Sequence, residues 1–314
     1  MRYGVPYKGS KNSIAKWIVD NLPRADTFVD LFCGGCAVTH AALLSGKYKN
    51  FIINDIDGRV PKFFLECCYG KHTIENHKEW ISREDFFRLK DDIYIALTWS
   101  FGNNGIDYIY GKDIEPYKKA LHYACFYNDV SLFKDLGIDV PVFNETDIYT
   151  RYLLYKKHFS NKDSRLEATE RLQSYERLEN LYRLQSLQSL QSLQSLQLDY
   201  VSVSIPSQAL IYCDIPYSST NCGKYQGFNH DRFYKWARER DNIYISEYDM
   251  PDDFICIAKT EKTVLSAANS NSIKAEEKLF TNKRTYEKLT AEEKEKIKLN
   301  FAEQMSIFDL MGGA

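Results

Sequence analysis

Apolar residues in this chain fall in short runs that end near acids. Residues 28–32 read FVDLF, residues 51–53 read FII just before Asp55, and residues 209–213 read ALIYC just before Asp214. Runs this short, closed by polar, glycine or proline turns, read as buried strands rather than helices. Between them lie amphipathic stretches. SIAKWIVDNL at 13–22 reads as a helix that Ser10 or Asn12 caps and Pro23 ends. Residues 37–44 read as the helix after the first strand. The alternation predicts an α/β fold.

The first two strands end on ligand-binding chemistry. TFVDLFCGG at 27–35 gives a strand interrupted by Asp30, then Gly34-Gly35, where backbone approaches closely or takes unusual dihedrals. Strand, glycine turn and helix make a small-molecule cradle at a strand end. The pattern is neither GxGxxG nor GxxxxGKS, which argues against a nucleoside triphosphatase. Asp55, after the second strand, suits two ribose hydroxyls. Asp57 is an alternative, or caps the next helix. Before these, VPYKGSKN at 5–12 sets Lys8 and Lys11 around a helix start that suits a carboxylate or a phosphate.

The third strand leads into Asp214, Ile215, Pro216 and Tyr217. Proline restricts its predecessor and cannot sit mid-sheet, so Asp214 leaves the carboxyl end of a strand, where open α/β sheets bind ligands. A carboxylate, backbone carbonyls and an aromatic ring suit a planar, amine-bearing ring. The plainer alternative is an ordinary turn with an exposed acid.

The middle of the chain reads differently. Residues 59–97 are mainly helical, with Cys67 and Cys68 buried. Gly102-Asn103-Asn104-Gly105 is a turn signal, with Trp99, Phe101, Tyr108 and Tyr110 around it and Lys112, Lys118 and Lys119 beyond. Aromatics and lysines on loops hold displaced bases and phosphates; the plainer alternative is an aromatic-packed cap. Residues 118–127 read as a helix, as do 161–183. Leu or Tyr then stands at every third position from 172 to 196. That period fits neither an α-helix nor a heptad coiled coil, and predicts a connector of undefined conformation. VSVSIPSQ at 201–208 predicts a strand and turn. Residues 218–227 predict a substrate-facing loop in which Lys224 meets phosphate. A helix at 230–240, strands at 242–248 and 254–259, and a mixed-charge surface with eight basic and six acidic residues at 274–298 complete the reading.

Composition narrows the partners. The 314 residues carry a formal charge of -2, so any basic face is local, which disfavours a protein that only coats polyanions. Eight cysteines form no dense disulfide framework. Cys33-Gly-Gly-Cys36 has the spacing of half a zinc or redox site, but no second pair matches it, and no metal is expected. No secretion signal and no transmembrane-length run predict a cytoplasmic protein without a membrane partner.

Taken together, these motifs resemble the D12 class of S-adenosylmethionine-dependent, Dam-like DNA adenine N6-methyltransferases. YKGSK at 7–11 resembles the N-terminal cofactor motif, FVDLFCGGCAV at 28–38 the FxGxG-type motif, Asp55 the ribose acid, and DIPY at 214–217 the reactive DPPY motif. Cys36 stands where glycine is often found, and Ile215 replaces the first proline. The resemblance implies a Rossmann-like methyltransferase sheet with helices on both faces and an inserted, mainly helical target-recognition region. Its divisions would be 1–60 and 199–314 for the catalytic domain, 61–160 for target recognition, and 161–198 for the charged segment and repeat. It implies S-adenosylmethionine held by Tyr7, Lys11, Asp30, Phe32, Cys33, Gly34, Gly35 and Asp55. Catalysis would lie with Asp214, Ile215, Pro216 and Tyr217: the Asp214 carboxylate and the Ile215 carbonyl accept the amino hydrogens, and Tyr217 stacks on the base. Double-stranded DNA would meet Asn103, Asn104, Lys112, Lys118, Lys119 and Lys224. Cytosine N4 methylation, and a DNA-binding protein with a disabled site, are the rival readings. Oligomeric state and recognition sequence stay open.

Overall fold

The structure is a computed structural model that describes residues 2–145, 147–160, 171–187, 192–217, 227–265 and 272–298. Lys224, the start of the charged segment and four residues of the repeat lie outside the described residues. The chain divides into two compact units. One comprises Met1–Gly4, Lys11–Lys62 and Ser189–Ala314; the other comprises Val5–Ser10 and Phe63–Gln188.

The first unit is built on a seven-stranded mixed sheet. Its strands are β1 (Thr27–Asp30), β2 (Asn50–Asn54), β3 (Ser192–Leu196), β4 (Leu210–Asp214), β5 (Ile243–Glu247), β6 (Phe254–Leu265) and β7 (Ser272–Asn282), in the spatial order β3-β2-β1-β4-β5-β7-β6. The pairs from β3 through β5 are parallel, and β7 runs antiparallel to both β5 and β6. All five residues of β5, and the first four of β4, are buried, as expected for parallel strands covered on both faces. The order reverses between β1 and β4, so the crevice of an open α/β sheet falls at the carboxyl ends of those two strands.

Helices α1 (Ala15–Asn21) and α2 (Ala37–Ser45) flank the N-terminal strands, and α3 (Arg59–Cys68) follows β2. Neither Ser10 nor Asn12 caps α1: its N-cap is Ile14, without a side-chain bond, and the Asn12 amide donates to the Tyr3 carbonyl at 3.1 Å. Later in the chain, the helix His230–Arg238 buries Phe233, Trp236 and Ala237 against the sheet, a spacing of three and one that puts one stripe inward. No described helix is long and apolar enough to cross a membrane.

Two C-terminal expectations change, and the repeat gains a defined conformation in part. Residues 201–208 form no strand: Tyr200–Ser202 is a 3₁₀ turn held by the Asp199 carboxylate, which accepts from the Val201 N–H. The mixed-charge stretch is not all surface, because its first third is β7, with Glu277, Leu279 and Thr281 buried. The leucine repeat is not one conformation. Leu184–Leu187 is a 3₁₀ turn whose two leucines are both buried, and three residues per turn is the geometry a period of three fits. Ser192–Leu196 is the edge strand β3, paired residue for residue with β2.

The second unit is mainly helical. It holds α4 (Arg83–Leu89), α5 (Ile93–Thr98), α6 (Glu115–Tyr127), α7 (Ser131–Asp135), α8 (Ile148–Phe159) and α9 (Gln173–Arg183). The side chain of Trp80 stacks on Tyr110 at 5.6 Å and meets Trp99 and His122 edge-on. The glycine-asparagine turn sits between Ser100 and Tyr108, which form an antiparallel bridge. Asn103 donates to the Leu97 carbonyl, and Asn104 accepts from the Ile106 and Asp107 N–H groups. Both asparagines therefore shape the turn. Phe101 and Ile106 stand out from it, 67% and 63% exposed.

Candidate active site at the carboxyl ends of the strands

Two structures meet the crevice of the first unit. The first is the turn after β1. Gly34 has φ +44° and Cys36 φ +57°, so the chain passes through left-handed geometry twice before α2 begins. Glycine takes this freely, whereas the cysteine is a non-glycine residue where glycine is favoured. The turn is tied to β2. The Gly34 N–H donates to Asp55 Oδ2 at 2.9 Å, the Asp57 N–H donates to Asp55 Oδ1 at 2.9 Å, and the Cys33 N–H donates to the Asn54 carbonyl at 3.0 Å. Gly4 packs against the same turn. A Cβ there would collide with the Gly35 carbonyl and lie 2.8 Å from the Ala37 nitrogen, so a third glycine, which sequence reasoning passed over, is required by close approach. Asp57 pairs with Arg59 at 3.0 Å.

Beneath the turn, Asp30 is buried and accepts from the Thr39 hydroxyl at 2.6 Å, while its Oδ1 has no partner among the described residues. Burial, together with the nearby Asp214 and Asp55 carboxylates, pushes its pKa up to about 8 against the Thr39 bond. Phe32 is half-buried among the rings of Tyr200, Phe228 and Phe233. Cys33 and Cys36 are free, buried thiols that burial holds above the usual thiol range, an environment that keeps cysteine unreactive.

The second structure is the corner after β4. Asp214 leaves the strand opposite Ser246 of β5 and receives the Lys11 ammonium at 2.8 Å. Lys11 is 5% exposed. Burial alone would lower its pKa, but the carboxylates of Asp214 and Glu277 outweigh that and hold it above the ordinary lysine range. Its Nζ lies 3.9 Å from Glu277 Oε2 and 4.3 Å from the centre of the Tyr217 ring. The Tyr217 hydroxyl donates to Glu277 Oε2 at 2.6 Å, and its ring meets Tyr248 edge-on at 4.4 Å. Ile215 turns its side chain into the core, 2% exposed beside Cys213 and Val29. Burying such a side chain contributes about 1.5–3 kcal/mol, so the corner gains an apolar anchor where a proline would have stiffened it. The Pro216 carbonyl accepts from His230 Nε2 at 2.8 Å, pinning the corner to the start of a helix.

The sequence-predicted residues therefore sort into groups. Asp30, Gly34, Gly35 and Asp55 come together at the ends of β1 and β2. Lys11, Asp214 and Tyr217 come together at the end of β4, and Lys11 meets Asp214 rather than standing as an unengaged cation. Asp30, on the neighbouring strand, interacts electrostatically with both acids. Tyr7, Asn103, Asn104, Lys112, Lys118 and Lys119 belong to the second unit. Lys112 and Lys119 are exposed there, but Lys118 is buried, its ammonium donating to the Arg171 carbonyl, which leaves it badly placed to meet a phosphate. Sequence reasoning missed Glu277, Tyr248, His230 and Gly4. Only the inward alternation of Glu277, Leu279 and Thr281 could have signalled the first.

A mixed α/β sheet, parallel from β3 through β5, thus carries a glycine turn after β1, an acid after β2 and an Asp-Ile-Pro-Tyr corner after β4. A family model described as D12 class N6 adenine-specific DNA methyltransferase matches residues 7–281. The chain belongs to that family. No curated protein matches the chain in sequence.

Proposed function

We propose that this protein transfers a methyl group from S-adenosylmethionine to the exocyclic N6 of an adenine flipped out of a specific site in double-stranded DNA. The observation that carries this reading is the Lys11-paired carboxylate of Asp214, set at the switch point beside the strand that bears the Gly34–Asp55 turn. The residues suit the cofactor. The Asp55 carboxylate ends β2 against the Gly34 turn, and vicinal ribose hydroxyls are donors that suit a carboxylate acceptor. The turn at Phe32, Cys33, Gly34 and Gly35 offers the backbone that lies against the nucleoside. When bound, the cofactor supplies an electrophilic methyl group on a sulfonium sulfur.

The chain's own part is alignment. The Asp214 carboxylate accepts one hydrogen of the target amine and the Ile215 carbonyl accepts the other, turning the nitrogen lone pair toward the donor. Tyr217 stacks on the base. With the methyl group supplied by the bound cofactor, the surplus proton of the amine would leave past the Asp214 carboxylate. Orientation and fixed charge supply the rate, with no strong base required. The middle unit is the region we assign to target recognition, through the braced turn at Asn103 and Asn104 and the exposed Lys112 and Lys119. It offsets a flipping cost of a few kcal/mol.

The test is incubation of the purified chain with methyl-labelled S-adenosylmethionine and in-vitro-amplified bacterial DNA, followed by nucleoside analysis. Label in N6-methyl-2′-deoxyadenosine supports the reading. Label in N4-methyl-2′-deoxycytidine shifts it to the cytosine chemistry. DNA binding with no label leaves only a binding protein of the same fold.

A further inference from the structure

The cluster at the corner contains a carboxylate that the proposed reaction does not use. Glu277 lies on β7, a strand that joins the sheet between β5 and β6, and it is 2% exposed. The pairing of β7 with β5 sets Leu279 opposite Ser246 and Lys278 opposite Glu247, and Ser246 in turn faces Asp214 on β4. The fold thus delivers Glu277 to the corner from a part of the chain remote in sequence from it. Its Oε2 takes the Tyr217 hydroxyl at 2.6 Å and lies 3.9 Å from the Lys11 ammonium, which itself sits on Asp214 and over the Tyr217 ring.

We propose that Glu277 is a positioning residue of this site: it fixes the Tyr217 ring by its hydroxyl and shares Lys11 with Asp214, so one buried cluster sets both the base-stacking ring and the amine-holding acid. The inference rests on the roles given above to Tyr217 and Asp214. Stability alone does not explain such a residue, since a buried ion pair is often no more stabilising than well-packed apolar side chains. Geometry does explain it. A tyrosine ring held only by its backbone keeps rotational freedom about two side-chain bonds; a short hydrogen bond at the far end of the ring removes it. Lys11 then fixes the acid relative to that ring, because one ammonium contacts Asp214, Glu277 and the ring face.

The experiment compares Glu277→Ala, the isosteric Glu277→Gln and Tyr217→Phe. In steady-state methylation of in-vitro-amplified bacterial DNA, Glu277→Ala lowers kcat about 10- to 100-fold, the scale of a misplaced reacting group, with KM for S-adenosylmethionine little changed. Glu277→Gln keeps an oxygen for the tyrosine hydroxyl and recovers much of the loss. Combining Glu277→Ala with Tyr217→Phe costs less than the product of the two single losses. A second readout does not need turnover. With tyrosine labelled by ¹³C at Cζ, the Tyr217 resonance, assigned by its loss in Tyr217→Phe, moves in Glu277→Ala and moves back in Glu277→Gln. An unmoved resonance overturns the inference, as does an unchanged kcat in Glu277→Ala. If the wild-type chain methylates nothing, the functional reading fails, and the spectrum alone decides whether Glu277 holds Tyr217.

Discussion

The turn after β1 and the corner after β4 lie at the ends of neighbouring strands, yet they are built in opposite ways. The turn is held through its backbone. Gly34 and Asp55 are 21 residues apart, at the ends of paired strands, and the bonds that shape the turn run from backbone N–H groups to the Asp55 carboxylate and the Asn54 carbonyl. The corner is assembled from afar. Lys11 comes from the N-terminal end of the chain, Glu277 from β7, and Asp214 and Tyr217 from the turn between them, and they meet through side chains. A site made of backbone binds a common cofactor shape and depends on spacing. A site made of remote side chains depends on the whole sheet, and it is where one substitution changes chemistry without changing the fold.

That contrast should appear first as a separation of binding from turnover. Asp214→Asn keeps the shape of the corner but removes the charge, and should lower kcat about 10²–10³-fold, the usual loss when a fixed charge-stabilising group is deleted. Calorimetry should find its affinity for S-adenosylmethionine nearly unchanged. A parallel loss of affinity would erase the distinction between the two regions.

Asp55→Ala should do the reverse. Hydrogen bonds to a charged group are each worth about 1.5–3 kcal/mol, so loss of one such contact should weaken cofactor binding roughly 10- to 100-fold in the same calorimetric titration. Unchanged affinity would remove Asp55 from the cradle.

The smallest effect sharpens the comparison between them, because Asp30 lies under both. Its carboxyl is raised from 3.8 to about 8, so the folded state holds a proton that the unfolded state has released across that interval. The stability this contributes is fully present below the unfolded value and is lost as pH rises toward about 8. Asp30→Asn keeps an acceptor for Thr39 and cannot ionise. Thermal midpoints measured across pH should therefore fall less steeply for the variant than for the wild type. Parallel curves would mean that Asp30 is not held protonated.

The same contrast governs what the sequence made legible. Short strands ending at Asp55 and Asp214, and the Gly34-Gly35 turn, were readable because each is a pattern within about ten residues. The family resemblance rested on those same patterns, and the family match covers residues 7–281. Glu277 was hidden because EEKLF reads as surface charge until β7 is placed inside the sheet, where one of two adjacent glutamates points inward. Ser192–Leu196 was hidden because a repeat of period three does not alternate as a strand does; only its pairing with β2 makes it one. Gly4 gave no local signal, since its need for a missing Cβ arises from the Gly35–Ala37 backbone pressed against it.

The most direct measurement is a crystal structure of the chain with S-adenosylhomocysteine. The ribose should lie on Asp55, the adenosine against the turn at residues 32–35, and the sulfur should face the Asp214 carboxylate and the Tyr217 ring. A ligand seated elsewhere, or a sulfur turned away from Asp214 with protein between them, would remove Asp214 from the chemistry and undo the reading of these strand ends as a single active site.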